Sequence, residues 1–308
     1  MNTPSTALPE SPLGSQATAP QAAAATRPLY WSVRRELWES RSITVAPLIV
    51  AGVVLVGFML SAIGLPERRR ALLALNPAHA SATVEMPYDI AAAVLTLATF
   101  LVGAFYCLDA LHGERRDRSI LFWKSMPVSD LTTVLSKASI PLAILPAYTF
   151  VLVIVTQVVM MLLTDALLLL SGDAASTWKL YPLFHNAFIL LYGLVVHALW
   201  HAPVYGWLLL VSVWARRATF LWAVLPPLAL MVVERIGFHT SYVATLLKYR
   251  LVGGMVEAFK AHDPHIAFGS LQADTLKFVA SPGLWLGLAV AAALLFAAVR
   301  LRRYGEPI

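Results

Sequence analysis

The sequence predicts an all-α polytopic membrane protein with six transmembrane helices and a cytosolic helix between the second and third. Three observations carry this prediction. Hydrophobic residues make up 59% of the 308 positions and charged residues only 13%, against about a quarter charged in soluble domains. The mean hydropathy is +0.71, and apolar runs recur that are long enough to cross a hydrocarbon core of about 30 Å. The remaining charges gather in short islands between those runs.

Taken in order, residues 1–28 are rich in Ala, Pro, Ser and Thr. That composition buries too little surface to order itself, and it lacks the basic start and apolar middle of a signal peptide. A disordered cytosolic tail is expected. Residues 29–41 follow as an amphipathic helix, with Tyr30, Trp31 and Trp38 alternating with Arg34, Arg35, Glu36 and Glu39. Such a pattern suits a helix lying in the membrane interface.

A transmembrane domain is expected over residues 42–303. Run length puts its spans at about 43–63, 90–111, 140–170, 187–214, 219–236 and 284–299. The third is long enough to tilt or to project from the bilayer. Pro203 predicts a kink in the fourth, and the fifth carries Pro226 and Pro227. The 237–283 segment mixes apolar residues with Lys248, Arg250, Glu257 and Lys260, as an interfacial helix or a re-entrant hairpin packed on protein would. Residues 304–308 make a short cytosolic tail.

Lys and Arg set the orientation. With both termini cytosolic, 14 of the 23 Lys and Arg residues fall on the inner side. Arg68, Arg69 and Arg70 run against that assignment, just beyond the first span on the outer side. A multi-pass protein of a membrane such as the bacterial inner membrane is the expected setting.

Within the spans, polar residues are few. Cys107 is the single cysteine, so no disulfide can form within one chain, and it reads as a small buried hydrophobe. Gln157 reads as helix-to-helix glue. Trp178 and Tyr181 read as interfacial anchors. Asp109 can pair locally with Arg115 or Arg116. His197 and His201 share one helical face; they read as structural histidines, as linings of a translocation path, or, with Asp165 or Glu234, as metal ligands. The Glu of an H-E-x-x-H zinc site is missing from the stretch between them.

The charged island over residues 113–137, GERRDRSILFWKSMPVSDLTTVLSK, is the most specific feature. Glu114 to Arg118 extend the second span as a charged helical end. Ser119 and Ile120 lead into Leu121, Phe122 and Trp123, an apolar and aromatic block followed by Lys124. Pro127 holds the residue before it extended, and Ser129 or Asp130 can cap the helix that enters the third span. Buried aromatic anchors of this kind carry interface energy. An amphipathic turn on anionic headgroups is the other physical reading.

In these residues the chain resembles the permease subunits of ABC-2 type ABC transporters. The similar positions are Glu114-Arg115, the run Ser119 to Ser129, and Lys137; Met126 stands where the family commonly has Leu. The resemblance implies six spans over residues 29–303, cytosolic termini, and a coupling helix in the island that docks on a separate ATPase. It makes Glu114, Arg115, Ser119, Leu121, Phe122, Trp123, Lys124 and Pro127 the ATPase-subunit interface, and the helix at Tyr30–Arg41 a second contact. It also implies pairing with a second copy or a sister permease.

No Gly in the chain is followed by Lys, so no Walker A loop is present. The chain is therefore expected to bind no cofactor itself. The resemblance implies ATP and Mg²⁺ on the partner and, with the apolar spans, a hydrophobic or amphipathic substrate; no nucleic acid is expected among its partners. Two other readings stand beside this one. One is an intramembrane metal-dependent enzyme using His197 and His201; the other is a non-transporting membrane scaffold or sensor.

Overall fold

The computed structural model describes residues 27–62, 64, 77–125, 128–170, 181–260 and 272–304. The expected tail up to residue 26, Arg68 to Arg70, Met126, Pro127 and Trp178 lie outside the described residues. The fold is an all-α polytopic membrane fold. Among the described residues, six helices are long and apolar enough to cross a membrane: Ser42–Ala62, Met86–Arg116, Asp130–Leu170, Leu183–Trp200, Thr219–Gly237 and Pro282–Arg303.

The chain opens with α1 (Pro28–Glu39), led by a proline at its first turn, where the missing N–H costs nothing. It bends at Ser40 into α2 (Ser42–Ala62). Next come α3 (Pro77–Ala110), a short α4 (His112–Arg116) and α5 (Ser119–Ser125). Ser129 then caps α6 (Asp130–Ser139), its hydroxyl accepting from the Thr132 N–H at 3.1 Å. Ahead of α7 (Leu145–Leu170), residues Ile140–Ile144 form a π-helical turn containing Pro141. A π-turn lets the chain pass a proline that would break a regular α-helix. The third span thus starts about ten residues earlier than its apolar run indicates.

Where the sequence predicts one kinked fourth span, two helices stand. α8 (Leu183–Trp200) ends at His201 and α9 (Ala202–Trp214) begins directly after it. Pro203 lies in the first turn of α9, the place in a helix where proline is tolerated. The expected kink is therefore a break two residues upstream of the proline. α10 (Thr219–Gly237) follows, with Ala223 its one buried residue.

The described parts of the 237–283 segment pack onto the bundle. α11 (Tyr242–Ala258) leads to a two-residue ladder in which β1 (Phe259–Lys260) pairs antiparallel with β2 (Gln272–Ala273). Then come α12 (Thr275–Ala280) and α13 (Pro282–Arg303). α11 packs on α8, α10 and α12. Its Gly253 and Gly254 lie flat against the fully buried Trp200, where a Cβ on Gly254 would stand 2.7 Å from the indole.

α9 packs most extensively on α13, and α2 on α3 and α7. One apolar core joins Ile43, Tyr106, Cys107, Leu145, Tyr205, Leu209 and Ala298. A second surrounds Trp200 with Ile189, Phe259 and Phe278. A third holds Phe58, Tyr88, Met160 and Tyr181. Tyr181 is buried in that third core, not placed as an interfacial anchor. Its hydroxyl accepts from Gln157 Nε2 at 3.0 Å, which makes Gln157 the expected glue between segments.

Candidate functional site

At one end of the bundle, six charged side chains from four helices meet. α1 brings Arg35 and Glu36, α4 brings Glu114, α6 brings Asp130 and Lys137, and α13 brings Arg302. Lys137 Nζ donates to both Glu36 oxygens at 2.9 Å and lies 3.1 Å from Glu114 Oε1. Arg302 Nη1 donates to Glu114 Oε2 at 2.9 Å, and its Nε to Asp130 Oδ1 at 3.1 Å. Arg35 Nη2 reaches Glu36 at 2.6 Å and Glu114 at 3.5 Å. α3 contributes Tyr106, whose hydroxyl donates to Glu36 Oε2 at 2.9 Å.

Glu36, Glu114, Lys137 and Arg302 are all buried. Three cations balance three anions, and both oxygens of each glutamate accept hydrogen bonds or ion pairs. A buried carboxylate is tolerable only under such conditions. Burial acts to raise the pKa of Glu36, but Lys137 and Arg35 beside it outweigh burial and hold it below the ordinary carboxylate value. The cluster is a clasp. It fixes the ends of the second, third and sixth spans, and the helix preceding the first, against each other.

The charged island is built around this clasp. α4 leaves the second span with Glu114 facing inward and Arg115 donating to the Val213 carbonyl of α9. His112 Nδ1 meets the Ala215 carbonyl at 3.2 Å. Arg118 then takes a left-handed backbone (φ 58°) and turns the chain into α5. A non-glycine residue there costs about 1–3 kcal/mol, a cost that concentrates at functional turns. On α5, Ile120 is buried while Leu121 and Phe122 are 58% and 59% exposed.

The expected interface residues therefore divide. Leu121 and Phe122 project outward at the clasped end. Glu114 and Arg115 do not, because the buried Lys137 and Arg302 and the α9 carboxyl terminus claim them. Ser119 turns back to the Glu114 carbonyl at 3.4 Å. These three hold the island in place. Trp123 and Lys124 belong to α5, and their side chains, like Pro127, lie outside the described residues. Lys137, adjacent to the third span in sequence, is the centre of the clasp.

Asp109 and Arg116 form the local pair the sequence suggests, at 3.5 Å and exposed on both sides. Arg115 is not part of it.

His197 and His201 do come together at the α8–α9 break, their rings stacked with centroids 4.2 Å apart. His197 Nε2 meets the Tyr205 hydroxyl at 3.1 Å. The two His201 nitrogens face the carbonyls of His197 and Leu251 at 3.0 and 3.2 Å. Glu234 is not a third ligand: it takes the Tyr242 and Val243 N–H groups and the Thr240 hydroxyl, closing the turn from α10 into α11. Among the described residues no group of three or more His, Cys, Asp and Glu could hold a metal ion. The pair joins a break in α8–α9 to α11, and its geometry is that of a packed polar contact.

No protein-family model, curated protein or solved structure matches the chain. The clasp is the part of this site that sequence reading misses. Glu36 and Arg302 each sit in runs of several charges, and nothing local separates the inward member from its solvated neighbours. A partial signal exists in Lys137, a lone cation among Val134, Leu135, Ala138 and Ile140 on the way into an apolar span.

Proposed function

We propose that this multi-pass membrane protein is the permease subunit of an ABC-2-like transporter, moving a hydrophobic or amphipathic substrate. Energy comes from a separate ATPase that binds ATP and Mg²⁺. In this reading the clasped end is cytosolic, and α5 is the coupling helix, docking Leu121 and Phe122 into an apolar recess of the ATPase.

One observation carries the reading: exposed apolar knobs stand on a short helix whose two flanks are pinned by buried charges. Glu114 lies just before α5, and Asp130 and Lys137 just after it. A push on α5 passes through them to Glu36 on α1 and Arg302 on α13. Interfaces and packed cores respond to such a push as rigid bodies. An island that only joined two spans would need neither the clasp nor the exposed Phe122.

Pairing with a second membrane half is supported by α10, an apolar spanning helix that buries little beyond Ala223 within this chain. The experiment is co-purification with an ATPase. The native chain retains an ATPase carrying a Walker A loop, and Leu121→Ala with Phe122→Ala releases it without loss of folded protein. Retention by both chains would remove α5 from the interface and the reading with it.

A further inference from the structure

At the corner where α1 bends into α2, a cleft of about 220 Å³ opens against α3. Its lining changes character along its length. Val102 and Phe105 give it an apolar wall, and Phe105 is 62% exposed. Ser40, Ser42 and Asp109 form its polar end. Tyr106 belongs to the same lining, and its hydroxyl is the one that donates to Glu36 in the clasp. The cleft lies at the end of a spanning helix, apolar beside the span and polar beyond it. That gradient fits an amphiphile with its chain along Phe105 and its headgroup at Asp109.

The polar end selects the headgroup. Asp109 only accepts hydrogen bonds, and the two serine hydroxyls accept as well as donate. Together they suit a donor-bearing cation. Arg116 reaches Asp109 only at 3.5 Å, in an exposed pair of the kind that contributes little. An ammonium can displace it, leaving Arg116 with Nε on Asp117 at 3.1 Å and Nη1 for an adjacent phosphate. A trimethylated ammonium keeps the charge but has no N–H for Asp109 or the serines.

We propose that this cleft binds an amphiphile whose headgroup carries a primary ammonium beside a phosphate, the arrangement found in phosphatidylethanolamine. Asp109 accepts from the ammonium, and Tyr106 stands between the bound headgroup and the clasp. The site rests on the membrane fold alone and not on the identity of any ATPase.

The test uses the purified full chain in phosphatidylcholine nanodiscs with and without phosphatidylethanolamine. Cys107, the single cysteine and a buried one, reports unfolding through a thiol-reactive dye. Phosphatidylethanolamine raises the thermal midpoint of the native chain. Asp109→Asn, at an exposed position, keeps the native midpoint in phosphatidylcholine and loses the rise. Lipid mass spectrometry then finds about tenfold less retained phosphatidylethanolamine, as the loss of a charged hydrogen bond implies. Ser40→Ala with Ser42→Ala reduces the rise in part. Equal midpoints in the two lipids, or a rise that survives Asp109→Asn, would overturn the proposal. Since no ATPase is present, either result leaves the transporter reading to be judged by its own experiment.

Discussion

Glu36 and Lys137 are 101 positions apart in the chain, yet the lysine ammonium lies 2.9 Å from both oxygens of the glutamate. Both side chains are almost entirely out of solvent. This pair joins the helix ahead of the first span to the helix that leads into the third. With Glu114 and Arg302 it ties both ends of the charged island to the bundle.

Removing one partner of this pair leaves a buried charge uncompensated, which costs about 3–5 kcal/mol. Lys137→Met is therefore expected to lower stability by that order, read as earlier exposure of Cys107 on heating. Lys137→Met combined with Glu36→Gln should be less damaging than the sum of the two single changes. Strict additivity in that double-mutant cycle would show that the two groups do not interact.

The depressed pKa of Glu36 has a pH signature of fixed sign. A carboxylate whose folded pKa lies below its unfolded value of 4.5 gives stability that is fully present above pH 4.5. That stability is lost as pH falls through the folded value. The native chain should lose thermal stability below about pH 4.5 more steeply than Glu36→Gln does, over the same acidic range. Parallel acid profiles for the two chains would contradict the role given to Glu36.

Gly254 must remain a glycine, because a Cβ there would meet the Trp200 indole at 2.7 Å. Gly254→Ala is expected to destabilise by about 1–3 kcal/mol, the usual cost of overpacking. Gly52→Ala on α2 meets nothing within 4 Å. It should be neutral, or stabilising by about 0.5–1 kcal/mol through helix propensity. Thermal midpoints of the two variants, compared in one detergent, check both statements.

The six spans were legible in the sequence because run length and the near-absence of charge answer directly to bilayer thickness. Ser129 as a cap, Gln157 as glue and Cys107 as a buried hydrophobe were also legible, since each depends on local context. The break at His201 was displaced from the predicted kink because Pro203 starts a helix more readily than it bends one. Tyr181 was misplaced because an aromatic residue near a span end looks the same whether it faces headgroups or Tyr88. Glu114 and Arg115 were legible as important residues but not in their direction. Lys137 and Arg302, brought in from 23 and 188 positions away from Glu114, with Arg35 beside them, turn that carboxylate inward.

Leu121 and Phe122, at 58% and 59% exposure, contribute little to the fold of the isolated chain. Their joint replacement by alanine should change its stability by no more than about 0.5 kcal/mol, as is usual for surface positions. The most direct test of the coupling account combines that comparison with co-purification from native membranes. The account predicts a Walker A ATPase with the native chain, none with Leu121→Ala/Phe122→Ala, and indistinguishable thermal midpoints for the two proteins. An ATPase bound equally well by both chains, or none bound by either, would contradict it.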